Sequence, residues 1–129
     1  MLIGQVARAA GTTTKALRFY EQQGLLPPPS RTPGGYRDYP TDVLSRLEFI
    51  ARARRAGLAL AQVREVLAVR DAGQAPCSHV RHLLDDRLED LDARIAELAG
   101  LREAVAALRA AAGPEGDDAC DARAVCRYL

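Results

Sequence analysis

Aromatic side chains are scarce in this sequence: no tryptophan, two phenylalanines and four tyrosines, 5% of the chain. Yet 48% of the residues are hydrophobic. The apolar content therefore falls largely on Ala and Leu, which favour helices. No apolar run is long enough to span a membrane. The N-terminus lacks the charged start and apolar core of a secretory signal, so a cytoplasmic location is expected. Cysteine is sparse as well, with three, at positions 77, 120 and 126. An odd count outside a small secreted frame argues against a disulfide scaffold and for free, redox-active or metal-bound thiols. Internal repeats are absent. No motif assembles a nucleophile beside a base, and a thiol near two histidines is too little for an enzyme.

What is present is an uneven distribution of charge. The formal net charge is +1. Residues 1–55 carry nine Lys/Arg against four Asp/Glu, a net of +5, and residues 56–129 carry nine against thirteen, a net of −4. A basic half joined to an acidic half suggests that the first half meets a polyanion.

Hydrophobic spacing divides the chain further. In "IGQVARAAG", Ile3, Val6, Ala7 and Ala10 recur at helical intervals and Gly11 stops them. "TTTKALRFYEQQG" reads as a second helix, capped by Thr12 or Thr13 and ended by Gly24. Two short helices about a glycine-containing turn form a helix-turn-helix pattern. The proline-rich "LLPPPSRTPGGYRDYP" cannot be helical, and its Gly-Gly turn predicts a hairpin, a wing with Arg31 on one limb and Tyr36, Arg37 and Tyr39 on the other. A second helical pair follows, with Val43, Leu44, Leu47 and Ile50 on one helix and Leu60, Val63, Val66 and Leu67 on the next. Thr41 is the expected cap of the first, and Gly57 and Gly73 punctuate the pair.

The longest pattern runs from Ser78 to Ala112. Val80, Leu84, Leu88, Leu91, Ile95, Leu98, Leu101, Val105 and Leu108 follow one another at steps of three or four. Such a narrow stripe is the seam of a coiled coil, overwound near Leu98–Leu101 where two steps of three adjoin. A small domain cannot bury a stripe this long, so a second copy of the chain is the expected partner. The expected fold is mainly α: a winged helix-turn-helix over residues 1–40, a second helical pair over 41–75, a dimerisation helix over 76–112 and a C-terminal loop over 113–129.

A helix-turn-helix offers its second helix to the major groove while flanking elements hold phosphates. Thr14 and Lys15 suit the groove, Arg18 suits phosphate or a guanine edge, and Arg31, Tyr36 and Arg37 suit backbone phosphates. The motifs "IGQVA", "LRFYEQQGLL" and the "R…GGYRDY" wing resemble the N-terminal domain of the MerR family of bacterial regulators, and the remaining pattern fits to the end of the long helix. The resemblance implies a homodimer with antiparallel dimer helices, clasping a palindromic operator in double-stranded DNA. It implies activation by bending and untwisting a promoter whose spacer is too long, so that RNA polymerase engages both elements. It also adds Tyr20 to the phosphate-positioning set and implies no enzymatic activity.

The thiols fit the same picture. Cys120 and Cys126 share a short segment, and Cys77 lies at the far end of a helix about 50 Å long. In an antiparallel dimer the start of one helix lies beside the end of its partner, so Cys77 of one subunit is expected near Cys120 and Cys126 of the other. Thiolates bind soft or borderline metals. Hg(II), Pb(II), Cd(II) and Zn(II) are the candidates; three thiolates suit trigonal Hg(II) or pyramidal Pb(II), and Zn(II) would want a fourth ligand, for which His79 is the nearest candidate. The resemblance implies that a cysteine at the start of the dimer helix marks divalent-metal sensors rather than copper sensors. The C-x5-C pair is shorter than the family's usual metal loop, and two cysteines in that region are too few for an iron–sulfur cluster. The expected function is transcriptional activation of a metal-resistance or efflux promoter. The alternatives are a family member sensing thiol oxidation or an organic effector, and a metal-buffering protein that would leave the wing without a role.

Overall fold

A computed structural model describes residues 1–114, 116 and 120–129. Its helices are α1 (Ile3–Ala10), α2 (Thr14–Gln22), α3 (Val43–Arg55), α4 (Leu60–Asp71) and α5 (Cys77–Ala112), with β1 (Ser30–Arg31) and β2 (Arg37–Asp38) between α2 and α3. The fold is mainly helical with a two-stranded wing, as the spacing predicts. By contacts the chain divides into two units, Met1–Arg87 and Leu88–Leu129.

Local chemistry sets the helix ends. Gln5 Oε1 accepts from the Leu2 N–H at 2.8 Å and so occupies a donor just ahead of α1. Gly11 ends α1 at φ 66°, where a side chain would be strained. Thr13 caps α2 by accepting the Ala16 N–H at 3.1 Å. Thr41 does not cap α3 through its side chain. The residue before that helix is Asp42, which makes no side-chain cap bond. Instead the Pro40 and Thr41 carbonyls accept from Val43 and Leu44, a tight backbone turn that makes the hydroxyl unnecessary. Gly57, at φ 84°, turns the chain from α3 into α4.

In the wing, Ser30 faces Asp38 and Arg31 faces Arg37, antiparallel. Its tip closes through Thr32 and Gly35, whose φ of 83° needs glycine. The strand is tied back to the start of the chain: Leu2 bridges Asp38, and the Tyr39 N–H donates to the Met1 carbonyl at 2.7 Å.

The core of the first unit is aliphatic. Val6 and Ala7 of α1, Leu17 of α2, Leu25 and Leu26 after it, Val43, Leu47 and Ile50 of α3, and Val63, Val66 and Leu67 of α4 are buried together, with Tyr39 the buried aromatic ring. Leu83 brings the start of α5 into this core, and Val80 packs against it. Beside it the Arg87 Nε donates to the Ala56 carbonyl at 3.0 Å. The guanidinium lies over Gly57 so closely that a Cβ there would collide with it.

One polar side chain is buried among these apolar ones. Arg46, 8% exposed, donates through Nε to the Leu25 carbonyl at 2.6 Å. Its two terminal nitrogens grip Asp71 at 2.7 and 3.0 Å. The fork joins the chain after α2, the body of α3 and the end of α4.

The second unit consists of the rest of α5 and the C-terminal segment. From Leu88 to Leu108 the stripe residues are exposed, between 37% at Leu91 and 65% at Leu98. An Arg94–Asp90 pair at 3.3 Å decorates another side of the helix. Gly113 follows at φ 64°. Of the loop read over 113–129, residues 115 and 117–119 lie outside the described ones. Among the described residues no helix is long and apolar enough to cross a membrane.

The fork generates two expectations. Arg46→Ala, which strands the Leu25 carbonyl, should cost about 2–3 kcal/mol in urea unfolding. The hydrogen bond from Arg46 holds the Asp71 carboxyl below its ordinary range; burial opposes this, and the charges of Arg46 and Arg70 add to it. A carboxyl with a depressed folded value stabilises above the ordinary carboxylate range and loses that contribution as pH falls through the depressed value. Stability measured from pH 6 down to pH 2 should therefore fall more steeply in the wild type than in Asp71→Asn. Parallel curves would contradict the assignment.

Candidate nucleic-acid interface and thiol positions

The helical period sorts the side chains of α2. Leu17 points into the core with Tyr20 half-buried beside it, and Lys15, Arg18, Phe19 and Gln22 are exposed. Lys15 and Arg18, the residues read as groove and phosphate contacts, therefore lie on the exposed side of the helix. Thr14 is half-buried at the first position of the helix. The ring of Tyr20 packs against the core, its centroid 6.0 Å from that of Phe19.

The wing projects two of its expected residues outward. Tyr36 is 70% exposed. Arg31 is exposed, and its Nη1 donates to the Gly35 carbonyl at 2.8 Å, which stiffens the tip. Arg37 has a different setting. Its Nε donates to Glu21 Oε2 at 3.2 Å, and the Tyr39 hydroxyl donates to the same oxygen at 3.1 Å. Glu21 lies in the last turn of α2, so this carboxylate is a strut between recognition helix and wing. Burial, and then the Glu21 carboxylate, push the Tyr39 phenol above its ordinary value. It stays a neutral donor, and the strut is stable across neutral pH. Composition shows a basic wing, but gives no sign that one of its arginines is committed inward. A Glu–Arg–Tyr convergence across 18 residues of sequence has no local pattern.

The three cysteines are free and exposed. Cys77 is the first residue of α5. In the C-terminal segment the Leu129 N–H donates to the Cys126 carbonyl and the Ala124 N–H to the Asp121 carbonyl, successive turns that keep the segment folded on itself. Arg127 donates through Nη2 to the Tyr128 hydroxyl at 2.7 Å. Its guanidinium is held above its ordinary value first by a hydrogen bond to the Tyr128 hydroxyl, with smaller contributions from the charges of Cys120 and Cys126. His79 turns toward α4. Its Nε2 is enclosed, and the nearest acceptor, Glu65 Oε2 at 3.4 Å, is too poorly aligned for a hydrogen bond. Among the described residues of the single chain, no three His, Cys, Asp or Glu side chains are grouped closely enough to hold a metal ion.

Comparison with known proteins agrees with these features. Residues 1–69 match the family described as MerR HTH family regulatory protein, and residues 44–108 match that described as MerR, DNA binding. The chain is 38% identical over 109 residues to the HTH-type transcriptional regulator ZntR homolog of Haemophilus influenzae, covering 84% of this chain and 81% of that one. It is 34% identical over 121 residues to the HTH-type transcriptional regulator CueR of Escherichia coli, covering 94% and 88%. Among solved structures it resembles the transcription regulator PbrR691 from Ralstonia metallidurans in complex with lead(II), with a TM-score of 0.75 and 34% identity, covering 96% and 91%.

Two substitutions separate strut from contact. Glu21→Ala removes a negative charge near the reading face, so electrostatics alone would tighten DNA binding. Loss of the strut should instead weaken binding to a selected duplex about tenfold, on the order of 1.4 kcal/mol. Arg31→Ala should lower the slope of log K against log salt by about one. Both are read from equilibrium binding over a salt series, and tighter binding by Glu21→Ala would refute the strut.

Proposed function

The chain belongs to the MerR family of helix-turn-helix transcriptional regulators, and from that premise we propose that it works as a homodimeric switch set by a thiophilic divalent metal. Members of this family regulate transcription by binding DNA; the chain is a metal-responsive DNA-binding regulator and not an enzyme. The proposal concerns which groups make the response.

The observation that carries it is the exposed stripe of α5. Leu88, Leu91, Ile95, Leu98, Leu101 and Val105 together form an apolar surface that a partner helix would cover. The first unit has an apolar groove of its own, about 250 Å³, bordered by Phe49, Ala53, Leu58, Val66, Val80 and Leu84. Charge favours an antiparallel arrangement. Asp85, Asp86, Glu89, Asp90 and Asp92 crowd the first half of α5. A parallel pair would set these carboxylates against their own copies. An antiparallel pair sets them against the half where Arg102 and Arg109 balance Glu97 and Glu103.

In that arrangement Cys77 of one subunit meets Cys120 and Cys126 of its partner, giving two sites per dimer. The donor set fits the ion: three exposed thiols, with Arg127 next in sequence to Cys126. A soft divalent cation supplies the cross-link between subunits when bound. Hg(II), Pb(II), Cd(II) and Zn(II) are the candidates, and the lead(II) complex of the 34% identical PbrR691 supports that class. His79 is the candidate fourth ligand for Zn(II), reached by turning away from Glu65. What the chain's own residues do is hold two heads, each with α2 and a wing, at a spacing that the cross-link alters. The operator is bent and untwisted, and RNA polymerase engages the promoter.

Mixing subunits tests the cross-subunit site. Cys77→Ser and Cys120→Ser homodimers should each lose the ultraviolet thiolate-to-metal band and metal-dependent transcription. Refolded together, they should form heterodimers with one intact site and recover up to one metal per heterodimer. A mixture that binds none would rule the arrangement out. A wild type that ignores metals but changes its footprint on thiol oxidation would replace the metal with a redox signal.

A further inference from the structure

Outside α5 and the C-terminal segment, the large apolar or aromatic side chains that stand exposed among the described residues are Leu2, Phe19 and Tyr36. Tyr36 is at the wing. Phe19 is on the recognition helix, and nothing derived so far uses it. We propose that Phe19 is a specificity-determining residue that reads a thymine in the major groove through the C5-methyl group of the base.

The argument begins with the face it occupies. Leu17 marks the inward side of α2, with 0% exposure. Phe19 lies two residues on, about 200° around the helix, and it shares the outward side with Lys15 four residues before and Gln22 three residues after. Its ring is 43% exposed. The neighbouring ring of Tyr20, tilted by 50° at 6.0 Å, is itself packed against the core and so backs Phe19 from one side. The phenyl is thus a supported apolar surface projecting between a lysine and a glutamine.

The chemistry of the groove supplies its occupant. Of the four bases only thymine presents an apolar group on its major-groove edge; the others present donors and acceptors there. A phenyl ring has no hydrogen-bonding atom, so against adenine, guanine or cytosine it would desolvate polar edges without replacing their partners. Against thymine it buries a methyl group. Lys15 and Arg18 supply charged contacts on its N-terminal side. The helix then combines electrostatic attachment with one apolar discriminator, a distinction that a basic recognition helix alone does not make.

The inference rests on the DNA-reading role of α2, and the test separates the two. Full-length wild-type protein selects duplexes from a random pool, and the recovered duplex is scanned with single thymine-to-deoxyuracil replacements, which delete only the methyl. The wild type should lose about fourfold in affinity at one thymine per bound head, the equivalent of a buried methyl at about 0.8 kcal/mol. Phe19→Ala should bind about tenfold more weakly and be indifferent to that replacement. Phe19→Leu should keep part of the sensitivity. Equal melting temperatures for the three proteins are expected, because the side chain is not part of the core. A wild type indifferent at every thymine, or the same uracil profile in Phe19→Ala, overturns the proposal. A wild type that selects no duplex overturns the DNA-reading role of α2 itself, and the thymine contact with it.

Discussion

A single buried guanidinium holds the head of this protein together. Arg46 rises from the middle of α3 through an aliphatic core and ties the chain after the recognition helix to the end of α4. Burying an arginine is tolerable only when its donors are answered, and here one carbonyl and one carboxylate answer three of its nitrogens. The carboxylate is the less enclosed partner, with about half its side chain in solvent. Water therefore screens the ion pair, and the carbonyl bond inside the core fixes the geometry. The elements proposed to meet DNA are joined to this point. Leu25 follows α2, the wing follows Leu25, and Asp71 leads within six residues to Cys77.

A second carboxylate sets the angle between reading elements. Glu21 gathers Arg37 and Tyr39 onto one oxygen. The wing is thereby coupled to α2 through one carboxylate. This matters under the proposed mechanism, in which the protein deforms DNA. A soft joint would let the protein yield instead of the duplex, and the deformation energy would be lost in the protein.

Much of the architecture was legible because it is periodic or punctuated. The spacing of Val6, Leu17, Leu47 and Val63 announces their helices, Thr13 and Gly11 their ends, and Gly34–Gly35 the hairpin. The three thiols announce a soft-ligand chemistry. Pairings between distant residues had no such signal. Nothing local distinguishes Arg46, which is buried, from Arg52 or Arg54, which are exposed, and nothing marks Arg37 as half-committed to Glu21. Tyr20 and Phe19 adjoin in sequence, but the turn of the helix sends one ring toward the core and the other out, so the phenol offered for phosphate is the more enclosed of the two. Thr41 was outdone as a cap by backbone carbonyls, a competition that residue type does not reveal. The thiols could be named but not assembled, because one chain holds too few of them at one place.

The order of the units along the chain has its own consequence, for synthesis. Every residue of the head, from Met1 to Arg87, is made before the exposed stripe of α5. Domains fold as units during translation, earliest part first. The head closes around Arg46 as soon as Leu83 and Arg87 have emerged, while the sticky surface from Leu88 onward is still being extruded. The leucines of the stripe are therefore displayed by a nascent chain whose head has already emerged to fold.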